Sequence, residues 1–147
     1  MSTFRFRLSR ILRLRENLRD EHRQQLGVAQ QAADLIRDRI AGLHQQIAES
    51  RRGARTDARL LNIDWLLDAD RFETTLAAQL LAAQEQHQLA EAEVDRRRQI
   101  LVESDREVKT LEKLRHHQAM RHQLDDHRRQ AKQLDTIAIE RLSALGD

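Results

Sequence analysis

Cysteine and proline are both absent from this 147-residue chain, and glycine occurs only four times. Without cysteine there is no disulfide scaffold and no thiolate chemistry. Aromatic residues make up 3% of the chain. A globular α/β domain of this length carries more aromatic and β-branched bulk, and more turn residues to link its elements. Long apolar runs are missing too: none approaches the ~20 residues of a transmembrane helix. Arginines interrupt every candidate for the roughly 7–15-residue apolar core of a secretory signal. Charge of one sign is also lacking. Lys and Arg number 26 against 24 Asp and Glu, a formal net charge of +2, and the two signs are interspersed. Strong non-specific binding to nucleic acid asks for a more one-sided field.

What is present is the material of long helices with polar outer faces: 39% hydrophobic residues, many of them Ala and Leu, and 34% charged residues. In the first half, Leu26, Ala29, Ala33, Ile36, Ile40, Leu43 and Ile47 recur at spacings of three and four. That is a heptad stripe. It continues upstream through Leu8, Leu12 and Leu18, but Arg15, Arg19 and His22 take the strict heptad slots there. The seam is therefore expected to drift or open at those residues. In the second half, Leu76, Leu80, Ala83, His87, Ala90, Val94, Arg97, Leu101, Ser104, Val108 and Leu111 form a second stripe. After Leu111 the phase shifts to Leu114, Leu124, Ala131, Ala138, Leu142 and Leu145. Such a stammer locally overwinds a coiled coil. It reads here as a change of partner.

One break separates the stripes, "SRRGARTDARLLNID" at 50–64. Gly53 is the expected helix end, with Arg51 and Arg52 suited to its last turn. Thr56 or Asp57 can cap a short turn through Leu60 and Leu61, and Asn62 or Asp64 can cap the next helix. The expected fold is all-α: one antiparallel coiled-coil hairpin over 1–147. Helix 1 covers about 4–53, the turn region about 54–63, and a longer helix 2 about 64–143. Neither helix hides its stripe alone, and packing one on the other at the left-handed coiled-coil angle solves both problems. At ~1.5 Å per residue the helices are about 75 and 117 Å long. A turn centred near residue 58 sets Phe4 opposite about residue 113, and the last thirty or so residues overhang.

No catalytic, cofactor-binding or metal residues are expected. His117, His122 and His127 are spaced by five, whereas helical ligand pairs need three or four, and the adjacent His116 and His117 point apart. No Ser/His/Asp arrangement or Gly-rich phosphate loop is present, and a two-helix rod has no cleft that excludes water. Arg51–Arg52, Arg96–Arg98 and Arg128–Arg129 each have acids nearby and read as solvated salt-bridge partners. Trp65, at the turn end, is expected to seal the tip over Leu60, Leu61 and Ile63. Phe72 and Leu76 are equally suited to packing or to anchoring a partner.

The opening "FRFRLSRILRLRENLRDE" (4–21) resembles the start of the FliJ family of flagellar export proteins, with its Phe/basic alternation running into a Leu-rich helix. Trp65, Phe72 and Leu76, and "ILVESDREVKTLEKL" (100–114), are similar to the family's second helix. The likeness extends over nearly the whole chain. It implies a two-helix antiparallel coiled coil like the stalk subunit of rotary ATPases, without enzymatic activity. It implies a cytoplasmic protein, peripheral at the inner face of the cell membrane. Its implied partners are the export ATPase hexamer (FliI-like), the cytoplasmic domain of the export gate (FlhA-like) and export chaperones. By position the gate contact falls on Phe72, Leu76, Gln79 and Ala83. Gln79 and Ala83 depart from the small and His residues of the enteric pattern. Arg5, Arg7, Arg10 and Arg13 then suit steering of the terminal end into the ATPase ring.

Other readings remain open on the sequence. A self-associating scaffold coiled coil has the same stripes. An injectisome-type secretion stalk is the nearest relative. Residues 1–15 are Arg-rich and acid-free like a mitochondrial presequence, although the stripe runs on without a cleavage-like break. Phe4, Phe6 and Leu8 beside arginines also suit a membrane-surface helix.

Overall fold

A computed structural model describes residues 3–57 and 63–146. Two helices carry almost all of them, α1 (Ser9–Asp57, 49 residues) and α2 (Ile63–Ala144, 82 residues). They pack against each other as a helical hairpin with the second helix longer. By contacts the chain divides into two compact units. Met1–Asp20 with Glu103–Asp147 form what we call the terminal unit, and Glu21–Val102 form the hairpin unit.

The hairpin unit is held by the first stripe. Leu43, Leu76 and Ala83 form a buried cluster, with Ile40, Ile47 and Leu80 packed against it. Leu26, Ala29, Ile36, His87, Ala90 and Arg97 are half-buried, and Ala33 and Val94 are buried. Two cross-pairs fix the antiparallel register. Arg51 Nε donates to Glu73 Oε1 at 2.6 Å, and Arg97 Nη1 donates to Gln25 Oε1 at 2.6 Å. In sequence the midpoints of those pairs are Asn62 and Leu61, later than the expected residue 58. Both positions, with Leu60 and the proposed Asn62 cap, lie outside the described residues.

The terminal unit is smaller in apolar content. Phe6, Leu12 and Val108 are buried together, with Leu8 and Leu111 packed on them, and Val108 is fully enclosed. Arg15 Nη1 reaches Glu107 Oε2 at 2.8 Å. Phe4 stacks at a tilt on His122, ring centroids 5.8 Å apart, rather than lying opposite residue 113.

The Arg15–Glu107 pair by itself sets residue 4 opposite residue 118, and the reason for the remaining shift lies at the start of the chain. The helix expected from residue 4 begins only at Ser9, and residues 3–6 have no regular structure. Ser9 N–H donates to Phe6 O at 3.3 Å, and Leu12 N–H opens the helical ladder on Leu8 O at 2.9 Å. Arginines at 5, 7 and 10 oppose the positive end of a helix dipole, and no acid stands in the first turn to offset them. Non-helical backbone covers roughly twice the distance per residue that a helix does, so Phe4 reaches farther along α2.

Three further expectations change. Gly53 does not end α1, which continues to Asp57. Ser50 and Ala54 stay half-buried on the same stripe, so burial outweighs the modest helix penalty of one glycine. The seam does not drift at Arg15, Arg19 and His22, and all three are themselves half-buried in their slots. Arginine stems are apolar enough to lie in a seam while the heads lean out, as Arg15 does toward Glu107. The offset stripe of α2 is exposed at all six positions, Leu114, Leu124, Ala131, Ala138, Leu142 and Leu145. The residues covered there are Ala119, His122, Asp125 and Asp126, and every described residue from His127 onward is exposed.

Candidate functional site: two partner-facing surfaces

Near the connection, side chains of modest size meet large ones. α1 contributes Gly53 and Ala54, and α2 contributes Trp65, Ala69 and Phe72 around an open groove of about 520 Å³. The groove exists because small residues stand between Trp65 and Phe72 and leave the helices' flanks unfilled. Glu49 and Asp68 give its rim acidic character. Trp65 is half-buried. Ile63, which it was expected to cover, is largely exposed, and Leu60 and Leu61 lie outside the described residues.

The four residues assigned to gate contact divide into two pairs. Leu76 (4% exposed) and Ala83 (2%) point into the seam against the Leu43 cluster. Phe72 (54%) and Gln79 are exposed, seven residues apart on the groove-side flank. A two-residue choice between seam and flank follows from heptad position. Leu76 and Ala83 continue the stripe of Leu80 and Ala90, and Phe72 and Gln79 each fall one residue before a covered position. That rule was available in the sequence.

The second surface belongs to the terminal unit. Arg5, Arg7, Arg10 and Arg13 are all exposed, and none makes an ion pair among the described residues. Phe4 and Phe6 alternate with Arg5 and Arg7, so the aromatic rings turn to α2 and the guanidinium groups are left outside. Beyond His122, Leu134, Ile137, Ile139 and Leu142 of α2 and Leu145 just past its end are exposed, over about three turns. Ile137 and Ile139 went unremarked in the sequence because they belong to neither heptad stripe.

A helix that exposes so much apolar surface and so few tertiary contacts is marginal alone in water. Together with the Phe/Arg alternation, this leaves the terminal unit with apolar and basic surface that the chain itself does not use. A comparison with protein families shows which family the chain belongs to. The family described as Flagellar FliJ protein matches residues 4–144. This chain belongs to the FliJ family. It is thus a flagellar-export protein of a family of stalk-like structural components, not known as enzymes. No curated protein and no solved structure matches the chain.

The charges of this FliJ-family chain are mostly locally paired. Glu93 Oε1 and Oε2 accept from Arg96 at 2.8 and 2.9 Å, and Oε1 also accepts from Arg97 at 2.8 Å. The Arg96 and Arg97 hydrogen bonds hold the Glu93 carboxyl well below its usual range, at about 2. Arg98 pairs with Asp95, and Arg128 and Arg129 approach Asp125 and Asp126. The basic clusters at 96–98 and 128–129 are therefore neutralised along their own helix. Among the described residues no group of three or more His, Cys, Asp or Glu is arranged to hold a metal, and no helix is long and apolar enough to cross a membrane.

Proposed function

We propose that this chain is the stalk of its flagellar export apparatus, joining the export ATPase ring to the export gate. Its terminal unit docks in the ring, and the flank carrying Phe72 contacts the gate's cytoplasmic domain. The observation that carries the reading is the terminal unit's surface: four arginines without ion pairs among the described residues, and a stretch, 127–146, exposed along its whole length. A ring whose pore is acidic and polar attracts such arginines before contact, and the exposed leucines and isoleucines bury surface afterwards. At the other site, Phe72 is the anchor that a partner can reach, with Gln79 beside it. Leu76 and Ala83 support the helix from beneath. Export chaperones are a further class of partner for the same surfaces. The chain works at the inner face of the membrane through these partners.

The test is co-elution with the export ATPase of the same organism, read together with ATP hydrolysis and hexamer formation. Binding with stimulated hydrolysis supports the stalk. Reversing the charge of Arg5, Arg7, Arg10 and Arg13 should then weaken association at low salt and matter less at high salt. Unchanged affinity rejects the steering role. No binding, with a stable symmetric oligomer of the chain alone, moves the assignment to a scaffold coiled coil.

A further inference from the structure

The two hydrophobic clusters are separate. Phe6, Leu12 and Val108 belong to the terminal unit, and Leu43, Leu76 and Ala83 to the hairpin unit. Between Leu12 and Leu26 the heptad slots of α1 are Arg15, Arg19 and His22. In α2 the corresponding stretch carries Arg97, Leu101 and Ser104 in its slots, so that two of the three are polar. Arg15 and Arg97 satisfy their guanidinium groups on Glu107 and Gln25, but His22 Nδ1 is buried with no hydrogen-bond partner. A buried polar atom without a partner lowers stability locally. The contact-based division of the chain falls in the same stretch, after Asp20 in α1 and after Val102 in α2.

The terminal cluster also depends on a segment that is not helical. Phe6 is buried from an irregular stretch before Ser9, and Phe4 leans on His122 from the same stretch. Residues 3–8 are thus a strap over α2, closed by two aromatic rings. The backbone of this strap has few hydrogen bonds to break, because its first bond is Ser9 N–H to Phe6 O. Opening it uncovers Val108, Leu8 and Leu111 at once.

We infer that the terminal unit is a clasp that opens on its own, with the Phe4–Leu8 strap as its latch and the polar slots at 15, 19 and 22 as the limit of the opening. The hairpin unit stays closed while α1 residues up to about Asp20 part from α2. Cooperative units of this kind are set by where apolar contact density falls. This goes beyond the stalk reading and stands without it, because it concerns the free chain. In function it lets the terminal helices re-pair around a partner without unfolding the rest.

Hydrogen exchange of the full-length chain, followed by mass spectrometry of peptides, tests this. Peptides over 9–20 and 103–115 should exchange well before those over 36–47 and 76–90. Phe6→Ala should speed the first set by about tenfold or more and leave the second within about twofold. One common rate for both sets, accelerated together, overturns the clasp. A second variant locates the limit of opening. Arg19→Leu with His22→Leu fills two polar slots and should draw the two sets toward one rate. Sets that still exchange as in the parent chain would remove the polar slots from the explanation and with them the proposed boundary.

Discussion

Pairing in the hairpin unit rests on aliphatic side chains contributed by both helices: Leu43 with Leu76 and Ala83, flanked by Ile40, Ile47 and Leu80. Pairing in the terminal unit rests on Phe6 from an irregular strap with Leu12 and Val108, flanked by Leu8 and Leu111, with Arg15 and Glu107 alongside. Both are antiparallel helix pairs drawn from the same two helices. They differ in what is left over. The hairpin unit uses its stripe internally and exposes a flank, on which Phe72 and Gln79 stand. The terminal unit exhausts its stripe by Leu111, Phe4 reaches α2 only as far as His122, and every described residue from His127 onward is exposed. A regular stripe of aliphatic residues makes a self-sufficient support. A short stripe interrupted by arginine makes an end that leaves apolar surface uncovered.

The largest way to break the comparison is Leu43→Asp. An uncompensated charge in that cluster costs about 3–5 kcal/mol. Urea unfolding followed by circular dichroism should show the loss. The single tryptophan, Trp65, lies in the same unit and should shift its emission. Helix content that survives the change argues against the pairing. Leu12→Ala is the matched change in the terminal unit, expected to cost about 2 kcal/mol, within the range for truncating a buried leucine. It should lower helicity without moving Trp65 emission, and a coupled change would mean the two units behave as one.

Smaller effects sharpen the picture. Arg97→Ala removes a half-buried stem and the cross-helix bond to Gln25, for about 1 kcal/mol in the same urea titration. Arg96→Ala, whose side chain is mostly exposed, should leave the urea midpoint nearly unchanged. If the two cost the same, the seam position of Arg97 contributes nothing. The smallest effect is on pH. Glu93 is depressed from 4.5 to about 2 by the Arg96 and Arg97 hydrogen bonds. A depressed carboxyl contributes stability that is full above its unfolded value and is lost as pH falls through its folded value. The contribution of this cluster should thus fade between about 4.5 and about 2. A Glu93→Gln chain should lack that part of the acid profile, and an unchanged profile would mean the local bonds do not distinguish folded from unfolded chain.

Much of this was legible because a coiled coil writes its seam into the sequence at a fixed period. All eleven residues of the second stripe, from Leu76 to Leu111, are buried or half-buried. The misreadings share one cause: residue type was weighted above position. Arg15, Arg19 and His22 looked wrong for a seam and sit in it. Gly53 looked like a helix end and is passed through. The leucines after 111 looked like a seam and are exposed, while His122, Asp125 and Asp126 are covered. Of the two surfaces, the arginines at 5, 7, 10 and 13 were readable from charge alone. The split of Phe72 and Gln79 from Leu76 and Ala83 was also legible, because only the latter two fall on the second stripe, and the burial of each side chain agrees with it.

The sequence by itself determined that the chain forms two long helices with apolar stripes, because the hydrophobic periodicity is helical and there are too few turn-forming residues to build anything else. It also determined family membership, through residues 4–144. Only the tertiary structure decided the register, where helix 1 begins, and which leucines remain bare. Those depend on how far a non-helical strap reaches and on whether a polar side chain finds a partner across the seam, and neither distance is encoded in the period of a stripe.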